Sequence, residues 1–269
     1  MKWLSRSYTG VVMAFLYAPI LVLIAYSFNA NKSRGIWTGF TLNWYKELMG
    51  NSLIIQSLIN TLIIAVISAV LATLLGTMAA LGIHSMRGAS RSLIMNITYL
   101  PVINPEIVTG VSLMLLFVLF RLEFGFITLI LAHITFNVPY VILNVMPKLR
   151  QMDKYVYEAA LDLGCSPMQA FFKVIIPEIA PGVITGLLMS FTFSLDDFII
   201  SYFVSGTTSQ TLPITIYSMT RKKVSPEINA LSTIIFVIVL VVLIIVNIND
   251  ARIENRNKRK VGDSFEKKF

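Results

Sequence analysis

Apolar residues in this chain fall in long blocks, not in the short alternations of strands or the narrow stripe of a surface helix. Six blocks stand out, at about 10–28, 53–83, 93–119, 125–147, 181–204 and 227–248. Most approach or exceed the roughly 20 residues that a helix needs to cross a bilayer. The second and third are longer, so part of each is expected to tilt or protrude. The pattern predicts an all-α polytopic membrane protein with six transmembrane helices. They form a single domain over residues 1–248, followed by a basic tail over 249–269. Lys2 and Arg6 precede the first block as they would in a signal peptide. In the following SFNAN, however, Phe28 occupies the position where cleavage needs a small residue, so the block reads as a retained helix.

Composition agrees: 56% of the 269 residues are hydrophobic and 13% are charged, against about 25% charged in soluble domains. Basic residues set the orientation. The N-terminus, the 84–92 loop, the 148–180 loop and the tail hold 15 of the 22 Lys and Arg residues, and the alternate segments hold 7. Both ends are therefore expected in the cytoplasm. The net charge of +8 reports that asymmetry, and no nucleic-acid-binding pattern accompanies it.

Candidate chemistry is sparse. The single cysteine, Cys165, excludes an intrachain disulfide, and His84 and His133 are far apart on different segments. The chain has no phosphate-binding glycine loop, no HExxH and no nucleophile elbow, so it is not expected to hydrolyse ATP or to act as an enzyme. Three acids lie inside apolar blocks: Glu106, Asp196 and Asp197. Intramembrane carboxylates cost roughly 2.5–3.5 kcal/mol at the bilayer centre and generally mark function. On a continuous helix Asp197 aligns with Ser190, Ser194 and Ser201, which predicts that it faces a wet pathway or a partner helix. Asp196 has mostly apolar neighbours at helical spacing. Glu106 and Asp197 would lie about 22 and 24 Å along continuous helices from the cytoplasmic face, at similar depth. Pro101 and Pro105 interrupt the third block, as in the broken helices that line transport sites. Next to Pro105, Glu106 has the alternative task of satisfying freed backbone groups.

The longest cytoplasmic loop, MDKYVYEAALDLGCSPMQAFFKVIIPEIAPG, predicts two short helices. Asp153 suits the first N-cap and Gly164 its C-terminal end. Ser166, Pro167 and Gln169 have capping-box spacing for the second. Pro177 is expected to end it, and Pro181 with Gly182 to begin the next span. Met168, Phe171 and Phe172 give the second helix an apolar surface, to be covered by a partner or by the protein's own helices.

Glu158-Ala159-Ala160, Gly164 and Val174-x-Ile176-Pro177 resemble the EAA loop of ABC importer permeases, with conservative changes in the last element. The resemblance implies the type I importer permease fold and a bacterial inner-membrane location. In that family the loop docks on an ATPase, which gives coupling roles to Glu158, Ala159, Ala160, Gly164, Met168, Phe171, Phe172 and Pro177. YAPILVLIAYSFN, HITFNVPYVI, SFTFSLDDFIISYFVSG, LPITIYSM and SPEINALSTI extend the similarity to the PotC-type permeases of spermidine/putrescine importers. Implied partners are a homologous second permease of PotB type, two copies of a PotA-type ATPase that uses ATP and Mg, and a PotD-type extracytoplasmic binding protein. No cofactor is implied for this chain. Permeases for iron(III) or sulfate share the fold, and a stand-alone channel or secondary carrier would leave the EAA loop without a purpose.

A polyamine path needs carboxylates to replace lost hydration and aromatic faces for ammonium and methylene groups. The expected lining is Asp197, Asp196, Glu106, Tyr140 and Phe136, with Tyr99, Phe191 and Tyr202 as further aromatics.

Overall fold

The computed structural model describes residues 2–31, 36–207, 209–222, 226–238, 240–241 and 244. Contacts divide the chain into two compact units, Met1–Ser52 with Met219–Phe269, and Leu53–Ser218.

The first unit contains α1 (Lys2–Ser27), α2 (Asn43–Gly50) and the apolar helix Pro226–Ile238, called α12 below. Asn29 organises the segment between α1 and α2. Its amide donates to the Ile36 carbonyl at 2.9 Å and its Oδ1 accepts from Thr38 N at 3.1 Å, while its own carbonyl accepts from Trp44 Nε1 at 2.7 Å. Asn51 Nδ2 donates to Glu227 Oε2 at 3.2 Å, tying α2 to the start of α12.

The second unit contains α3 (Ser52–Ser85), α4 (Gly88–Ile103), α5 (Glu106–Leu119), α6 (Phe126–Gln151), α7 (Lys154–Asp162), α8 (Pro167–Ala170), α9 (Ile176–Asp196), α10 (Ile199–Val204) and the first part of α11 (Leu212–Lys222). α6 is its axis. α9 packs along α6 through small residues four apart. A Cβ on Gly182 would lie 2.7 Å from the Asn144 carbonyl oxygen, and one on Gly186 would lie 3.3 Å from the Val141 Cα. From α3, a Cβ on Gly76 would lie 2.6 Å from the Val141 Cβ. Small residues permit such approach where apolar burial alone drives no helix association.

Two apolar clusters form along α6. One surrounds Val141, Val145, Met146 and Leu149, with Ala80, Ile83, Met95 and Ile179. The other surrounds Leu129, Ala132 and Phe136, with Ile64, Leu113, Phe117, Ile200 and Val204. Between them lies a polar layer. Asn137 Nδ2 donates to Ser194 Oγ at 2.7 Å and to the Ser190 carbonyl at 3.3 Å, and Ser194 Oγ meets Ser68 Oγ at 3.0 Å.

Among the described residues four helices are long and apolar enough to cross a membrane, or five when the bent pair α4–α5 is taken as one span. These match the first five predicted blocks. The sixth block is described as the apolar helix through Ile238, and part of its remainder and all of the 249–269 tail lie outside the described residues.

The third span breaks at Pro105 as expected: α4 and α5 meet at a 105° bend where Pro105 has no N–H to carry the helix on. Three expectations need correction. Pro101 does not interrupt the span and lies inside α4. The fifth span, expected over 181–204, ends at Asp196, and α10 is a separate helix. Pro177 does not end a helix. A π-turn over Phe171–Ile175 widens the backbone ahead of it, Ile176 N donates to the Phe171 carbonyl, and the chain runs through Pro177 and Pro181 into α9. The wider turn accommodates a ring that would clash in a regular helix.

Candidate functional site

The site grows from the two helix breaks. Asp197 has extended backbone (φ −60, ψ 121) between α9 and α10. Its Oδ1 accepts from Ile200 N at 3.2 Å and its Oδ2 from Ser201 N at 2.7 Å, satisfying two of the free donors at the start of α10. His133 of α6 completes the arrangement. Its Nε2 lies 3.5 Å from Asp197 Oδ2 and 3.0 Å from Ser201 Oγ, with side-chain exposures of 2% for His133 and 5% for Asp197. Thr128 Oγ1 donates to the Val204 carbonyl at 2.8 Å, so both ends of α10 are held on α6.

α5 begins at the other break, with Glu106 in its first turn. Gly110, one turn along, brings α5 against α10: a Cβ there would lie 3.0 Å from Phe203 Cδ2 and 3.3 Å from Ile200 Cα. The two short helices thus start side by side. Glu106 comes within Coulombic range of Asp196, Asp197 and Tyr140. Phe136, Tyr140 and Phe193 pack as a trio, with centroids 5.3 Å (Phe136–Tyr140), 4.7 Å (Tyr140–Phe193) and 6.2 Å (Phe136–Phe193) apart.

This geometry gives the two aspartates different surroundings, with Asp197 turned toward His133 of α6. The stripe Ser190, Ser194, Ser201 is fully buried, so it is a packing seam. Asp197 does not extend it as a wet face, because the helix breaks there and the carboxylate turns inward to cap α10. Asp196 and Glu106 are the exposed acids. Phe136 is buried, Tyr140 and Phe191 are half-buried, and Tyr99 and Tyr202 are exposed. Sequence reasoning passed over His133, although an ionisable group inside an apolar block is itself a signal. It also passed over Phe193, Phe198 and Tyr217, which nothing in a linear pattern distinguishes from core residues.

The second candidate surface is the loop between α6 and α9. Asp153 Oδ1 accepts from Tyr155 N at 3.0 Å, capping α7. α7 ends in a Schellman motif: Cys165 N donates to the Ala160 carbonyl and Gly164 N to the Leu161 carbonyl, with Gly164 at φ +86. Ser166 and Gln169 form the capping box of α8. Glu158 and Ala159 are exposed and Ala160 is buried. Tyr155, Val156, Leu163, Met168 and Phe172 leave an apolar surface open, with Phe171 half-buried and edge-on to Phe172 at 5.2 Å. Pro177 is exposed beside it, at the start of α9.

Bent and broken membrane helices around buried charge, joined to a capped loop with an open apolar face, define a membrane transport permease. The chain belongs to the family described as binding-protein-dependent transport system inner membrane component, which matches residues 72–259. It is 38% identical over 243 residues to the spermidine/putrescine transport system permease protein PotC of Haemophilus influenzae, covering 90% of this chain and 95% of that protein. It is 39% identical to PotC of Escherichia coli K12, covering 90% and 92%. It is 40% identical over 230 residues to the putrescine transport system permease protein PotI of the same strain, covering 82% and 81%. Among solved structures, a bacterial ABC transporter involved in the import of the acidic polysaccharide alginate superposes with a TM-score of 0.72 at 14% identity, covering 92% and 94%. That likeness supports the fold.

Proposed function

We propose that this chain is the transmembrane permease subunit of an ATP-driven ABC importer that carries polyamines of the spermidine/putrescine class into the cell. The carrying observation is the near full-length identity to polyamine permeases, and the paired breaks suit that cargo. Glu106 and Asp196 face the cation and replace part of its hydration. Phe136 and Tyr140 belong to the aromatic wall, and Phe193 extends it. Asp197 holds the break open from behind, so its contribution to transport is positional.

The reading includes a homologous second permease, an ATPase dimer that hydrolyses ATP with Mg, and an extracytoplasmic binding protein. It puts both termini and the loop over 148–180 in the cytoplasm, as the distribution of Lys and Arg supports. There the exposed apolar face around Met168 and Phe172 docks on the ATPase, with Phe171 packed beside them. Glu158, Ala159, Ala160 and Gly164 shape the preceding turn, and Pro177 carries the motion into α9.

The test is uptake of labelled spermidine and putrescine by cells expressing the four components with and without this chain. Uptake that does not depend on the chain would sink the proposal. Gly164→Val probes coupling. No atom lies within 4 Å of a Cβ at this position, but φ +86 disfavours a branched side chain. Uptake should fall while insertion persists, and normal uptake with normal ATPase binding would remove the loop from the coupling path. Cys165 should react with an impermeant thiol reagent only once the inner face is opened.

A further inference from the structure

Three aromatic rings meet just beyond the break between α9 and α10, outside the carboxylate site. Phe198 follows Asp197, Tyr202 lies one turn along α10, and Tyr217 comes from α11. The Phe198 centroid is 4.7 Å from that of Tyr217 and 5.6 Å from that of Tyr202. Tyr202 and Tyr217 stand 6.5 Å apart and nearly perpendicular, at 81°. The rings form an open corner: Tyr202 is 52% exposed and Tyr217 41%.

We infer that Phe198, Tyr202 and Tyr217 form a second subsite, taking an alkylammonium segment of the polyamine outside the carboxylate pair. The inference rests on the polyamine reading above. Its first support is electrostatic. Ring faces carry negative quadrupole density, and Asp196, two residues before Phe198 in the chain, is an acid with the same sign of charge, so the corner favours a cation over an anion or a neutral solute. Its second support is position along the chain. Phe193 lies one turn before Asp196 and Phe198 two residues after it, so the carboxylates are flanked by ring clusters on both sides. Spermidine alternates three charged nitrogens with methylene runs, and a pair of carboxylates leaves one nitrogen and its methylenes to be met elsewhere. Its third support is convergence. The stretches SLDDFIISYFVSG and LPITIYSM are separated in sequence, and the Phe198–Tyr217 contact is where their rings join.

The test compares two double variants in the assembled transporter in proteoliposomes, at matched abundance and with saturating binding protein. Tyr202→Leu with Tyr217→Leu keeps apolar bulk but removes both ring faces. Tyr202→Phe with Tyr217→Phe keeps the rings. Losing two cation–π contacts should lower the initial spermidine uptake rate about fivefold or more. The phenylalanine pair should stay within about twofold of wild type, since its ring faces persist. ATP hydrolysis stimulated by the loaded binding protein should survive in both. Leucine variants that transport normally would overturn the subsite. So would loss of stimulated ATP hydrolysis together with uptake, which would make the rings packing or membrane-interface residues. Loss in the phenylalanine pair would overturn it as well, since hydroxyls and not ring faces would then be required. A wild-type complex that takes up no polyamine would instead sink the underlying functional reading.

Discussion

The two halves of α6 solve opposite problems. Around Val141 to Leu149 the helix is gripped by glycines of α3 and α9, and the surrounding cluster is apolar. Around Leu129 to Phe136 its neighbours are short, broken helices, and a buried histidine and aspartate hold them. The first half gains strength from close backbone approach. The second half interrupts helices inside the membrane, which is tolerated only where the freed backbone groups find partners. Asp197 supplies two of those partners, and its charge is therefore spent on structure. Asp196 and Glu106 are exposed and are not among the groups that hold the break. The lesson is that neighbouring intramembrane carboxylates need not share a role. What separates Asp196 from Asp197 is the break between them.

Substitutions should separate the halves by size of effect. Gly182→Leu should be the most damaging, because its Cβ alone meets the Asn144 carbonyl oxygen at 2.7 Å and the Val145 Cα at 3.2 Å, both backbone of α6. Overpacking costs about 1–3 kcal/mol, and more on occasion; against fixed backbone the upper end is expected, and little folded permease should be recovered. A melting temperature near wild type would refute the interlock. Next comes the contrast within the double aspartate. Asp196→Asn should leave the melting temperature nearly unchanged while cutting polyamine uptake about ten- to a hundredfold. Asp197→Ala should lower stability by about 0.5–2 kcal/mol through the lost cap, with transport falling in proportion to folded protein. The opposite pattern, measured by melting and uptake on the same preparations, would return the pathway role to Asp197. His133→Leu sharpens this further. Combined with Asp197→Ala in a double-mutant cycle it should show coupling of about 0.5–3 kcal/mol, and additive effects would dissolve the proposed pair. The smallest change belongs to the polar layer. Asn137→Leu gives up hydrogen bonds to Ser190 and Ser194, and such bonds average about 0.6 kcal/mol in membranes. A larger loss would mean that the layer, more than either half, holds the unit together.

Several features were legible in the sequence because they depend on neighbouring residues or on hydrophobic length alone. Block lengths identified the membrane helices, since crossing hydrocarbon sets a minimum run. Asp153, Gly164, Ser166 and Gln169 announced the turns of the loop, because caps are satisfied within a few residues. Pro105 announced a break and left its angle open. The path through Pro177 was not legible, because a π-turn is a choice among backbone hydrogen bonds that packing makes. The inward turn of Asp197 was not legible either. A helical wheel assumes a continuous helix, and the break that voids the assumption is held by His133, Thr128 and Gly110 from other helices. The joining of Phe198 with Tyr217 needs α11 to return over the α9–α10 break. Side-chain type and local spacing belong to the sequence. Which carboxylate stays exposed and which faces a histidine is a property of three helices meeting, and no one-dimensional pattern encodes it.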